Sequence, residues 1–165
     1  MKILSLDLST KSSGWAVFEE DKLIDYGCIV SASTDLIKRI HIMVDNIQEV
    51  IKKHDIKNIY VEEVRPETGN GNLQTHRALM YLQAGLEFLV HDNFSKVKIE
   101  YIYPSSWRAG CGIKNGRGVK RIALKVLDIQ FVKDNYNIEV NDDIADAICI
   151  GHSQIHKENN ELNWE

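Results

Sequence analysis

The sequence predicts a three-layer α/β fold, a five-stranded mixed sheet with helices on both faces, and three observations carry that expectation. Short apolar runs of strand length open the chain, apolar residues at helical spacing take over after residue 34, and strand and helix patterns then alternate. Helices placed between strands favour parallel crossovers, so strands 1, 4 and 5 are expected side by side at the centre of the sheet.

Taken in order, residues 3–8 form an apolar run around Asp7, and residues 14–18 and 23–30 read as two further strands joined by the polar turn "EEDK". Thr34 is the expected N-cap of a first helix, in which Leu36, Ile37, Ile40, Met43, Val44, Ile47, Val50 and Ile51 recur at helical spacing as far as His54. Residues 56–64 return to strand character until "RPETGNGN" breaks it. A second helix is expected over 74–91, a fifth strand over 97–103 ahead of Pro104, a third helix over 119–131 and a fourth over 142–156.

At 165 residues the chain has the size of one domain, expected over 1–157 with a polar tail at 158–165. Hydrophobic residues at 44% and charged residues at 27% exclude a disordered or membrane profile. No apolar run reaches the ~20 residues of a membrane span, and no secretory signal opens the chain. A cytoplasmic protein with no membrane partner is expected. Cys28, Cys111 and Cys149 are odd in number and far apart, which argues against a disulfide framework. Cys149, His152 and His156 fall at near-helical spacing but lack the fourth ligand of a structural zinc site.

The carboxylates carry the chemistry. Asp7 stands in a strand that should be buried, Glu62 and Glu63 stand in "YVEEV", and Asp142, Asp143 and Asp146 stand in "NDDIADAICI". Burying one lone carboxylate costs several kcal/mol. Singly, each acid is more often structural: Asp142 or Asp143 suits a helix start, and one of Glu62 and Glu63 suits solvent. Converging without basic partners, they repel one another, and a divalent cation is the usual physical remedy. Hard oxygen ligands fit Mg²⁺ or Mn²⁺ rather than zinc. Two such ions ~3.5–4 Å apart can promote phosphodiester hydrolysis.

The segments "LSLDLSTKSSGWAV", "VEEV" and "DDIADAI" resemble, in order and over nearly the whole chain, the three acidic motifs of the RuvC family of Holliday-junction resolvases. That resemblance implies an RNase H-like nuclease fold and a homodimer. It also implies a Mg²⁺-dependent endonuclease, with two ions per site and Mn²⁺ able to substitute, that cuts branched DNA to 5′-phosphate and 3′-hydroxyl ends. Carried over by motif, the catalytic and metal-binding acids are Asp7, Glu62, Asp143 and Asp146, with Glu63 and Asp142 as fallbacks. Where cellular members often place an aromatic, this chain has Arg65, which points to phosphate contact. The chain also resembles the shorter, divergent viral members of the family, which implies action in a host cytoplasm. Two other classes compete: a non-catalytic branched-DNA-binding module, and an actin-like phosphotransferase, for whose second lobe the length leaves no room.

Nucleic acid is expected along a basic stretch. Between Tyr101 and Leu127 lie Arg108, Lys114, Arg117, Lys120, Arg121 and Lys125, with no acid among them. A charge run is more often a solvated face, but "GCGIKNGRGVKR" also runs from a glycine-rich loop into a helix start, where phosphate binds well. The resemblance points to Lys120 as a phosphate contact. Arg65 and Arg77, with Asn70 and Asn72, are expected to rim the same site. Trp107 could stack on a base, although core packing is the commoner role. The helix over 74–91 is a candidate dimer face as well as a core helix.

Overall fold

A computed structural model describes residues 1–64 and 73–162, with side chains beyond 157 excepted. The elements are β1 (Lys2–Asp7), β2 (Ser12–Glu19), β3 (Lys22–Val30), α1 (Leu36–His54), β4 (Asn58–Glu62), α2 (Leu73–Asn93), β5 (Lys98–Ile102), α3 (Pro104–Gly110), α4 (Arg121–Tyr136) and α5 (Asp142–Leu162). The five strands form one sheet in the order β3-β2-β1-β4-β5. The mixed five-stranded sheet between helical layers is the expected architecture. β1 through β3 pair antiparallel, while β1–β4 and β4–β5 pair parallel.

Strand periodicity divides the core in two. On one face Leu4, Leu6, Ile59 and Val61 pack with Met43, Ile47 and Ile51 of α1 and with Leu82, Leu86 and Leu89 of α2. On the other, Ile3 and Tyr60 pack with Trp107 of α3, Val132 of α4 and Ile148 of α5. α5 lies directly on the sheet, and α3 and α4 pack against α5.

Several boundaries differ from expectation for physical reasons. Asp35, not Thr34, caps α1, its carboxylate accepting from the Lys38 N–H at 3.1 Å. β5 is an edge strand, because sequence order names neighbours but not which strand lies outermost. Pro104 opens α3 rather than only ending a strand: at the first helical turn its missing N–H would have no helical partner anyway. The expected third and fourth helices are therefore α4 and α5, and α5 continues to Leu162.

Gly14 fixes the approach of α5. A Cβ at that position would lie 1.9 Å from the carbonyl oxygen of Asp143, so only glycine lets the first turn of α5 cross β2. Farther along, the Ser5 hydroxyl donates to the Ala147 carbonyl at 2.6 Å and ties the same helix to β1.

Candidate active-site cleft

Alternation along the strands aims the first two acids. Ile3 and Ser5 of β1 face α5, and Asp7 continues that series. In β4, Tyr60 faces the same layer, and Glu62 follows it by two residues. The parallel register pairs Leu6 with Val61, so the next residues, Asp7 and Glu62, end neighbouring strands side by side. Ligand sites in open α/β sheets favour such carboxyl ends.

The start of α5 supplies the other acids. Asn141 accepts from the Ile144 N–H at 2.9 Å through its side chain, so this residue caps the helix and leaves Asp142 and Asp143 free of that task. Asp142 forms an ion pair with Lys125 of α4. Asp143 receives the Ser12 hydroxyl at 2.5 Å. Asp146, one turn on, has Oδ2 3.9 Å from Nη2 of Arg108 and a buried Oδ1 with no hydrogen-bond partner.

Asp7, Glu62, Asp143 and Asp146 all line one cleft of about 1060 Å³, and Glu63 lines it as well. Glu62 accepts from the Trp107 indole N–H at 2.9 Å, whereas Glu63 accepts from the adjacent Val64 N–H at 3.0 Å. Asp142 lies outside that lining.

Their electrostatics follow from crowding. Asp7 keeps some surface open to the cleft but is ringed by protein; burial, then repulsion from Glu62 and Asp143, holds its carboxyl well above the usual range. Asp146 is pushed up to about 9, by burial first and then by Asp7 and Asp128. Burial raises Glu62 too, against the opposing pull of the Trp107 hydrogen bond and the Arg108 charge. Asp142 moves the other way, lowered by its hydrogen bond from Lys125.

Cations line the walls. Arg77 of α2, Arg108 of α3 and Arg121 of α4, all expected at nucleic acid, border the cleft, joined by Lys11, Arg39 and Lys125. Arg108 is engaged within the protein: it donates three hydrogen bonds to Asp128 and stacks over Trp107. Lys114, Arg117 and Lys120 are not part of the lining. Arg65, Asn70 and Asn72 fall outside the described residues. Trp107 is fully buried, the commoner packing role, with the added bond to Glu62.

Sequence reasoning missed Lys11, Arg39, Ser12 and Asp128. Lys11 had a signal, since it sits four residues after Asp7 on the turn that must pass the same strand ends. Asp128 had none, because a carboxylate in a helix declares no partner in sequence.

The donor set suits a divalent cation of the Mg²⁺ class: hard carboxylate oxygens, with the unpartnered Oδ1 of Asp146 among them. Among the described residues no three His, Cys, Asp or Glu side chains already converge on one metal position. Glu62 and Asp143 each give one carboxylate oxygen to a neighbour, Trp107 and Ser12, which leaves the second oxygen of each for an ion. His152 shares a 2.6 Å hydrogen bond with the Tyr136 hydroxyl and packs on Phe131 and His156, within the core around α5.

Over residues 1–154 the sequence matches the family described as "Lactococcus phage M3 protein". The chain belongs to this family. No curated protein matches this M3-family chain. Among solved structures, Thermus thermophilus RuvC in complex with a Holliday junction substrate has a TM-score of 0.75 at 11% identity, covering 96% of each chain. The yeast mitochondrial Holliday junction resolvase Ydc2 has a TM-score of 0.60 at 14% identity, covering 99% of this chain and 84% of its own. Fowlpox virus resolvase, solved with Holliday junction DNA, has a TM-score of 0.56 at 17% identity, covering 94% of this chain and 99% of its own. The fold of this M3-family chain is therefore RNase H-like, in the form taken by RuvC-type resolvases. No helix among the described residues is long and apolar enough to cross a membrane.

Proposed function

We propose that the protein is a divalent-cation-dependent endonuclease that cuts branched DNA, with the Holliday junction as its principal substrate. One observation carries this reading: acids from β1, β4 and α5 line a single cleft that also has basic walls. The resolvase-like fold and membership in a family named for a phage protein support it.

Asp7, Glu62, Asp143 and Asp146 are the residues that would hold Mg²⁺ or Mn²⁺, two per site. Bound there, such ions would supply charge stabilisation and an activated water for phosphodiester hydrolysis, for which 5′-phosphate and 3′-hydroxyl ends are the expected products. The chain's own cations position the backbone: Arg121 comes from the α5 side of the sheet, Arg77 from the α2 side, and Lys11 from the β1–β2 turn. Phosphates neutralised by such groups release counterions, which makes affinity salt-dependent.

Two copies fit the near two-fold symmetry of a four-way junction. Leu73, Met80, Tyr81 and Phe88 are exposed on α2 and offer an apolar face for the homodimer.

The test is cleavage of labelled four-way, three-way, forked and linear DNA in Mg²⁺, Mn²⁺ or EDTA. Metal-dependent cutting of branched forms, abolished in Asp7→Asn with binding retained, is expected. Junction binding without cutting under any metal would instead assign the chain to the non-catalytic class.

A further inference from the structure

α3 is a helix of only seven residues, yet it reaches two of the cleft acids, Glu62 and Asp146, through adjacent side chains. Trp107 is fully buried, and its indole N–H donates to Oε2 of Glu62 at 2.9 Å. Arg108 lies with its guanidinium 4.1 Å from the centre of that indole ring. Its Nη2 stands 3.9 Å from Oδ2 of Asp146. The other end of this arrangement is Asp128 of α4, fully buried, which accepts from Nε and Nη2 of Arg108 at 2.8 to 3.2 Å.

The arrangement is a relay of fixed geometry. Asp128 holds the guanidinium plane by fork-like hydrogen bonding, the guanidinium covers the indole, and the indole fixes one oxygen of Glu62. A carboxylate at a strand end otherwise has several rotamers, and an ion that must gather several such groups needs them pre-set. The cation of Arg108 also faces the cleft acids, where it offsets their mutual repulsion.

We propose that Trp107 and Arg108, locked by Asp128, are positioning residues that set Glu62 and Asp146 to receive a divalent cation. This rests on the metal-dependent reading under Proposed function and assigns Arg108 to the acids rather than to DNA. The bond from Trp107 leaves Oε1 of Glu62 as the oxygen free to turn toward an ion. Asp146 has a buried Oδ1 with no hydrogen-bond partner.

The experiment titrates Mn²⁺ alone into the full-length, DNA-free protein by calorimetry and records thermal midpoints in EDTA. Two variants are compared with wild type: Trp107→Phe, and a protein carrying β-(3-benzothienyl)alanine at 107, which keeps the ring's shape and replaces N–H by sulfur. Loss of an outer hydrogen bond to a metal ligand typically weakens binding 10–100-fold. At least tenfold weaker Mn²⁺ binding is expected for both, with the benzothienyl protein melting as wild type does in EDTA. Unchanged Mn²⁺ affinity in the benzothienyl protein overturns the proposal, as does an affinity loss that only tracks a lowered melting midpoint. Wild-type protein that binds no Mn²⁺ overturns this inference together with the metal reading. Mn²⁺ binding that depends on residue 107 in a protein that cuts no DNA supports the positioning role and rejects the nuclease alone.

Discussion

Gly14 and Asp143 touch so closely that the backbone of one strand and the first turn of one helix admit no side-chain carbon between them: a Cβ at Gly14 would lie 1.9 Å from the Asp143 carbonyl oxygen. The clash is with backbone, which cannot swing aside as a side-chain tip can. Gly14→Ala should therefore destabilise the protein by about 3 kcal/mol or more, the upper end of overpacking costs. Thermal melting monitored by circular dichroism checks it; a midpoint within a degree of wild type would mean α5 does not dock as described.

The same zone of close approach includes Ser12, whose hydroxyl donates to Asp143 at 2.5 Å. Ser12→Ala removes one hydrogen bond to a charged acceptor, worth about 1.5–3 kcal/mol in the general case and toward the lower end where water can reach the site. The expected result is a modest fall in melting midpoint with Mn²⁺ affinity reduced severalfold, both read on the same preparation. Equal Mn²⁺ affinity in the two proteins would show that Asp143 needs no such restraint.

Stability should fall as pH rises in the absence of metal. Asp146 has its carboxyl raised from 3.8 to about 9, so the folded chain keeps a proton that the unfolded chain loses. Stability from this group is complete below about pH 4 and is lost progressively as pH climbs through about 9. Asp142 is lowered instead, and its contribution disappears only as pH falls through the acid range. Asp146→Asn should flatten the decline and raise the midpoint at pH 8 in EDTA by about 4 °C or more. Melting curves from pH 5 to 9 for both proteins decide it.

If the basic walls hold phosphates, deleting any one of their cations should alter the response to salt as well as the affinity. Giving up one phosphate neutralisation changes the slope of log K against log salt by about 0.9 on duplex arms. Lys11→Ala and Arg121→Ala are each expected to show that change by fluorescence anisotropy on a four-way junction in EDTA. Lys38→Ala, on the exposed outer surface of α1, should leave the slope unaltered.

For the proposed homodimer, the outward face of α2 provides the test. Phe88 is 69% exposed, so a charge there disturbs no core packing. Phe88→Asp should sediment as a monomer where wild type sediments as a dimer; no change in mass would move the interface away from α2.

Much of this architecture was legible in the sequence because period and polarity report burial directly. The long helices α1 and α5 declared themselves by apolar spacing, and Asp7 and Glu62 stood out as charges inside apolar strands. α3 stayed hidden, since its seven residues show too little of a helical period and Pro104 reads as a stop. The partners of the acids were hidden for a different reason. Trp107 lies 45 positions from Glu62 and Ser12 lies 131 from Asp143, separations at which only the fold decides who meets whom. Asn141 was overlooked as the cap of α5 because two aspartates follow it immediately.

The shared face of Tyr60 and Glu62 has a wider consequence. Any slip of β4 by a single residue that re-aimed Glu62 would also swing Ile59 and Val61 out of the α1–α2 layer and push Tyr60 into it. The direction of the acid is thus guarded by greasy neighbours that lie outside the cleft. Selection for a well-filled interior and selection for an accurately aimed carboxylate become, in this strand, the same pressure.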